Sequence, residues 1–200
     1  MKKLATPYAI QQFLDDTPYS TDHFYRSPRR VVRDRRAHCV DGALFAASAL
    51  EKLGHPPLVV DLRAVRDDDH VIAVYRVRGC WGAVAKSNVA LLRYREPVYR
   101  SLRELAMSYF DLYYNTSGEK SLREYSNPVD LRGFDATGWR TRDDLIEQTI
   151  VAALDRVRHH PILTPAQIRA LVAVDDRLYR AGMLGVDPDG LFAADRLKPQ

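Results

Sequence analysis

Cysteine is scarce in this chain. Its 200 residues hold two, Cys39 and Cys80, too few for the disulfide framework of a stapled secreted domain, so both are expected as free thiols. No Cys/His cluster has structural-zinc spacing. His159-His160 is read as part of a helix, where adjacent residues do not share a face. No metal and no other cofactor is expected. No apolar run approaches the roughly 18 residues of a membrane span, so no membrane partner is expected. Lys2 and Lys3 are followed by no apolar segment, which argues against a signal peptide and for a cytoplasmic location. Internal repeats and low-complexity stretches are absent from the sequence.

Acidic residues are scarce in one place only. The net charge is a modest +4, but Arg26, Arg29, Arg30, Arg33, Arg35 and Arg36 fall within eleven residues, with Asp34 the one acid among them. Such a cluster suits an anion. No aromatic is interleaved within it, so nucleic acid is disfavoured as a partner. A solvated face paired with aspartates is the expected reading. A chain of this length can bury a core unaided and reads as a single domain, residues 1–200, with a core over about 20–135 and a helical extension over about 140–182.

Periodicity orders the elements. Ala9, Ile10, Phe13 and Leu14 predict a short amphipathic helix within residues 5–20, started by Thr6-Pro7. Residues 18–36 read as a basic loop. Ala43, Leu44, Ala46, Ala47, Leu50 and Leu53 give a broad apolar face to a central helix over Cys39–Leu53, stopped by Gly54. Strands are predicted at 58–62, 71–77 and 81–86, the last two joined by a tight turn at Arg78-Gly79. A helix followed by a strand meander predicts an α+β fold, with the Cys39 helix packed on an antiparallel sheet. Ser101 and Glu104 form a capping-box pattern. Residues 115–140 read as turns. Two further helices are predicted over 141–158 and 164–181, and the tail from Gly182 reads as irregular.

Cys39 is the first candidate for chemistry. A thiolate is favoured at a helix N-terminus by the unpaired N–H groups and the dipole, and the Cys39 main-chain N–H is placed to stabilise an oxyanion. Against this stands the usual fate of a free cysteine, a small buried hydrophobe. Cys80, just after a turn, reads as incidental.

The neighbours of Cys39 carry a resemblance. Cys39-x-Asp41-Gly42-Ala43-x-Phe45 runs into Leu50-x-x-Leu53-Gly54-x-Pro56 and then Val59-Val60. Thirty-one residues after Cys39 comes His70, heading a strand that contains Tyr75, turns at Gly79 and is followed by Trp81. Residues 36–88 thereby resemble the transglutaminase-like superfamily. The resemblance implies a papain-like core, Cys39 as nucleophile on a peptide or protein amide, and His70 as general base and acid. It also implies an aspartate fifteen residues after the histidine, and that position is Ala85. Asn88, as in papain-like enzymes, and then Ser87 are the candidate substitutes that would orient His70, with Asp68 third. His38 is a competing base whose side chain is expected to point away from the thiol. Trp81 is expected as a core anchor near Cys39. The arginines and tyrosines between 93 and 114 either line a substrate groove or pack ordinarily. Three readings stay open: a thiol hydrolase or acyltransferase, a catalytically degenerate peptide-binding or scaffold domain, and an anion binder on the same frame.

Overall fold

In the computed structural model, which describes residues 4–192, the first helix begins where its start signal stands. α1 (Pro7–Asp15) is capped by Thr6, whose hydroxyl accepts from the Ala9 N–H at 3.1 Å. The segment read as a basic loop contains α2 (Pro28–Asp34), capped by Ser27. Its Ser27-Pro28 start repeats the Thr6-Pro7 device, and the arginines obscured it. Three of those arginines, Arg26, Arg30 and Arg33, pair with aspartates. Arg26 is buried and pairs with Asp22, Asp34 and Asp41, and Arg30 bonds Asp34 and Asp143 at 3.0 and 2.8 Å. Both guanidiniums lie over the Phe24 ring.

α3 (Cys39–Lys52) is central, with every residue from Val40 to Leu50 buried. Sheathing a Leu or Phe in this way removes it from water at about 1.5–3 kcal/mol each. Gly54, at φ 89, reverses the chain after it. β1 (Leu58–Ala64), β2 (His70–Val77) and β3 (Cys80–Val84) follow as an antiparallel meander. Arg78 and Gly79, both at positive φ, make the turn between the last two. β4 (Arg95–Tyr99) continues the sheet beside β3, and α4 (Leu102–Phe110) follows it.

The region read as turns contains β5 (Leu122–Ser126) and β6 (Val129–Asp130), which both pair with β1. A π-helical turn, Glu147–Val151, leads into α5 (Ala152–Arg156), and the chain then straightens into β7 (His159–Pro161) on β5. His159 and His160 are therefore strand residues, not helix residues. The helix predicted over 164–181 is two short ones, α6 (Pro165–Arg169) and α7 (Asp176–Gly182).

The fold is α+β. Its seven-stranded sheet runs β4-β3-β2-β1-β5-β7, with β6 on β1 beside β5. One face, carrying Val59, Val71, Ala73, Tyr75 and Val84, packs on α1 and α3. The other, carrying Val60, Leu62, Ile72, Val74, Ala83 and Ala85, packs on α4. Gly42 lets α3 pass the end of β3, since a Cβ there would sit 2.3 Å from the Lys86 Cβ. Among the described residues no helix is long and apolar enough to cross a membrane.

Candidate active site

The N-terminus of α3 is fixed from both sides. The His38 Nδ1 accepts from the Val40 N–H at 3.2 Å. Asp41, wholly buried, accepts from the main-chain N–H groups of His38 at 3.2 Å and Arg26 at 2.6 Å. Burial drives the Asp41 pKa up to about 7 and the His38 pKa down to about 4. His38 thus serves as the cap of the helix that bears the cysteine, and it lines the same cavity as Cys39.

Cys39, half-buried, opens this helix. Its thiol donates to the Asp69 carbonyl at 3.9 Å. Burial of the sulfur pushes its pKa up to about 12, against the opposing pull of the Val71 N–H. The resting species is the protonated thiol.

His70 is the first residue of β2 and falls on the face of Ile72 and Val74, beneath α4. Its Nε2 lies 2.8 Å from the Leu92 carbonyl. A carbonyl only accepts, so Nε2 carries the hydrogen and Nδ1 carries the lone pair. Burial holds the ring neutral, with a pKa of about 4. Nδ1 has no hydrogen bond among the described residues, yet no buried polar side-chain atom is left unpaired and His70 lines a cavity. No hydrogen bond joins Nδ1 to the Cys39 thiol among the described residues.

The expected orienters are not the groups that hold the ring. β3 stops at Val84, because the Gln11 amide clasps the Ala85 main chain at 2.9 and 3.0 Å and the Lys86 ammonium bonds the Leu14 carbonyl at 2.9 Å. The alternation that put Ser87 on the His70 face ends there. Ser87 accepts from the Val89 N–H at 3.0 Å. The Asn88 amide pairs with the Asp187 main chain at 2.8 and 2.9 Å, tying down the C-terminal segment. Asp68 presents its carbonyl to the Tyr113 hydroxyl at 2.5 Å. The orienting acceptor is the Leu92 carbonyl, which no residue-type signal reveals. Trp81 lies away from Cys39, opposite Tyr99 and beneath the Arg76 guanidinium. The Arg95 guanidinium stacks on Tyr109, ordinary packing, whereas Tyr113 and Tyr114 do line the cavity.

That cavity, about 520 Å³, sits at the end of the sheet where β1 leaves and β2 enters. Cys39, His70, Ser87 and Asn88 all line it. Its roof includes Met183, Gly190 and Phe192 from the C-terminal segment. One pair escaped the sequence reading. Asp61 stands directly across β1–β2 from Val71, on the Cys39 side of the sheet. Its Oδ2 is 2.9 Å from the His159 Nε2, while the His159 Nδ1 is 2.8 Å from the Val157 carbonyl. Nδ1 must donate, so a further proton lies between Nε2 and Oδ2. The alternation of β1 placed Asp61, but only the long-range pairing reveals its partner. No group of three or more His, Cys, Asp or Glu side chains is arranged to hold a metal among the described residues.

No family model matches the chain, and no curated protein matches it.

Proposed function

We propose that this chain is a thiol enzyme of the transglutaminase-like kind, attacking an amide or peptide carbonyl through Cys39. One observation carries the reading: a single cavity at the end of the sheet is lined both by a cysteine at a helix N-terminus and by a neutral histidine whose hydrogen is held on Nε2 by the Leu92 carbonyl. In the first half-reaction the Cys39 sulfur forms a bond to the carbonyl carbon, and its proton passes to the His70 Nδ1. The oxyanion is met by the amides that a helix start leaves without intrahelical partners. The intermediate collapses as the C–N bond breaks, and His70 returns its proton to the departing amine. Water or an amine then attacks the thioester with His70 again as base. The thiol at rest and the neutral imidazole fit this order, in which deprotonation accompanies attack. Two unpaired cysteines suit a reducing compartment, which supports a cytoplasmic site of action.

A second reading, a catalytically degenerate domain that binds a peptide or scaffolds a complex, draws on the thiol itself. Its hydrogen goes to the Asp69 carbonyl, and burial drives its pKa away from the thiolate.

Alkylation by iodoacetamide, mapped to Cys39 by mass spectrometry, separates the two. The enzyme reading expects His70→Ala to slow labelling of Cys39 at pH 7.5 by at least tenfold. Equal rates in the two proteins would sink it and leave the binding reading.

A further inference from the structure

The turn between β1 and β2 carries contacts to both members of the candidate pair. Its last residue, Asp69, offers the carbonyl that accepts the Cys39 thiol hydrogen at 3.9 Å, and His70 follows directly as the first residue of β2. Within the turn Arg66 sits at φ 52, left-handed backbone that a non-glycine residue seldom adopts. Three bonds to the segment 119–121 hold residues 65–67. The Val65 N–H donates to the Ser121 carbonyl at 2.9 Å, the Ser121 hydroxyl to the Asp67 carboxylate at 2.6 Å, and the Arg66 Nε to Glu119 at 2.9 Å.

Tyr113 grips the turn one step closer to the pair. Its hydroxyl donates to the Asp68 carbonyl at 2.5 Å. Its ring stands at 86° to the His70 ring, with the centroids 6.3 Å apart, an edge-to-face contact of the favoured kind. The side chain is buried and lines the same cavity as Cys39 and His70. Burial, and then the charges of Asp67 and Asp69, hold its pKa well above the ordinary range for tyrosine, so the hydroxyl remains a donor at neutral and alkaline pH. One side chain therefore touches both the turn and the ring. Their relative placement decides whether the thiol hydrogen reaches the imidazole, and a misplacement of about 1 Å costs such a step on the order of a hundredfold.

We propose that Tyr113 is a positioning residue for the Cys39–His70 pair: its hydroxyl fixes the main chain that leads through Asp69 into His70, and its ring fixes the imidazole. The role rests on the thiol-enzyme reading. No atom of Tyr113 joins the transfer. The hydrogen passes from the Cys39 sulfur to the His70 Nδ1, and the tyrosine keeps its own.

Tyr113→Phe, which keeps the ring, tests the proposal through the pH profile of Cys39 alkylation by iodoacetamide. The full-length variant should be labelled at least threefold more slowly than the unchanged protein at pH 7.5, where His70 assists. At pH 10, where thiolate formed without help carries the reaction, the two should be labelled alike. A merely structural loosening would speed labelling at both. In a His70→Ala background, Tyr113→Phe should slow labelling no further. Nitrogen NMR of the histidine rings supplies a readout that does not involve Cys39. The single Nε2–H tautomer of His70 should give way to a mixture in Tyr113→Phe, and further in Tyr113→Leu. If His70→Ala slows labelling at pH 7.5 and Tyr113→Phe does not, the proposal is overturned while the enzyme reading stands. If His70→Ala has no effect, the enzyme reading falls and the tautomer alone decides: a mixture upholds the grip of Tyr113 on the ring, and an unchanged tautomer overturns it.

Discussion

Ala85 is where the resemblance and the packing part company. A carboxylate there would complete the family's pattern in sequence. In space Ala85 is fully buried on the α4 face with Ala83, Leu92 and Leu105, and the ring it would serve is already held by the Leu92 carbonyl. We expect Ala85→Asp to cost about 2–5 kcal/mol of stability and to give no faster labelling of Cys39, read by urea melts beside the alkylation assay. At this scale side-chain identity and spacing single out Cys39 and His70, and both line one cavity. The contacts that hold them are not legible in the sequence. A main-chain carbonyl has no letter of its own, and Asp61 acquires its meaning from His159, 98 residues away. Asn88 and Ser87 misled for a related reason: their placement assumed a strand that Gln11 and Lys86 terminate early.

Among the elements, α3 owes its start to two titratable groups, and that makes its stability depend on pH. The His38 pKa falls to about 4 in the folded chain, by burial and then by the charge of Arg26, from an ordinary value near 6.5. The unfolded chain therefore binds the proton first. Stability from this group is intact above pH 6.5 and is lost as pH falls toward 4. His38→Asn keeps a capping side chain without that titration, so the variant should gain on the unchanged protein across this window, as followed by thermal melts at stepped pH. Gly42→Ala tests the approach of α3 to β3. With Lys86 2.3 Å from the new Cβ, we expect a loss of about 1–3 kcal/mol in a denaturant titration. The helix and the meander were legible because their periodicity is local. β5, β6 and β7 were not, because short strands amid turn residues gain their stability from pairing with β1 and with one another rather than from pattern. The continuous helix read over 141–158 failed at the same place, where pairing of His159–Pro161 with β5 outcompetes helical continuation.

For the whole molecule, the C-terminal segment is a cover rather than a support. From Thr164 to Phe192 one residue, Gly182, is buried, yet the segment reaches the cavity and is fastened by Asn88 and by the Tyr114 hydroxyl, 2.9 Å from the Leu178 carbonyl. Truncation after Leu163 should leave the melting transition nearly unmoved while speeding alkylation of Cys39 several-fold. An equal loss of stability would make the segment structural instead. The α+β class was readable at this scale from element order, since a helix followed by a meander has few ways to pack.

The two ends of the sheet have a consequence of their own. β4 and β7 are its last strands, and each carries a proline, Pro97 and Pro161. A proline has no N–H to offer a newcomer, and β7 is three residues long. Any further strand, from a partner or from a misfolded copy, would find an interrupted row of donors at either margin. The sheet is finished at seven strands by its own chemistry, and the cavity that Cys39 lines opens at the end of its strands rather than along either margin.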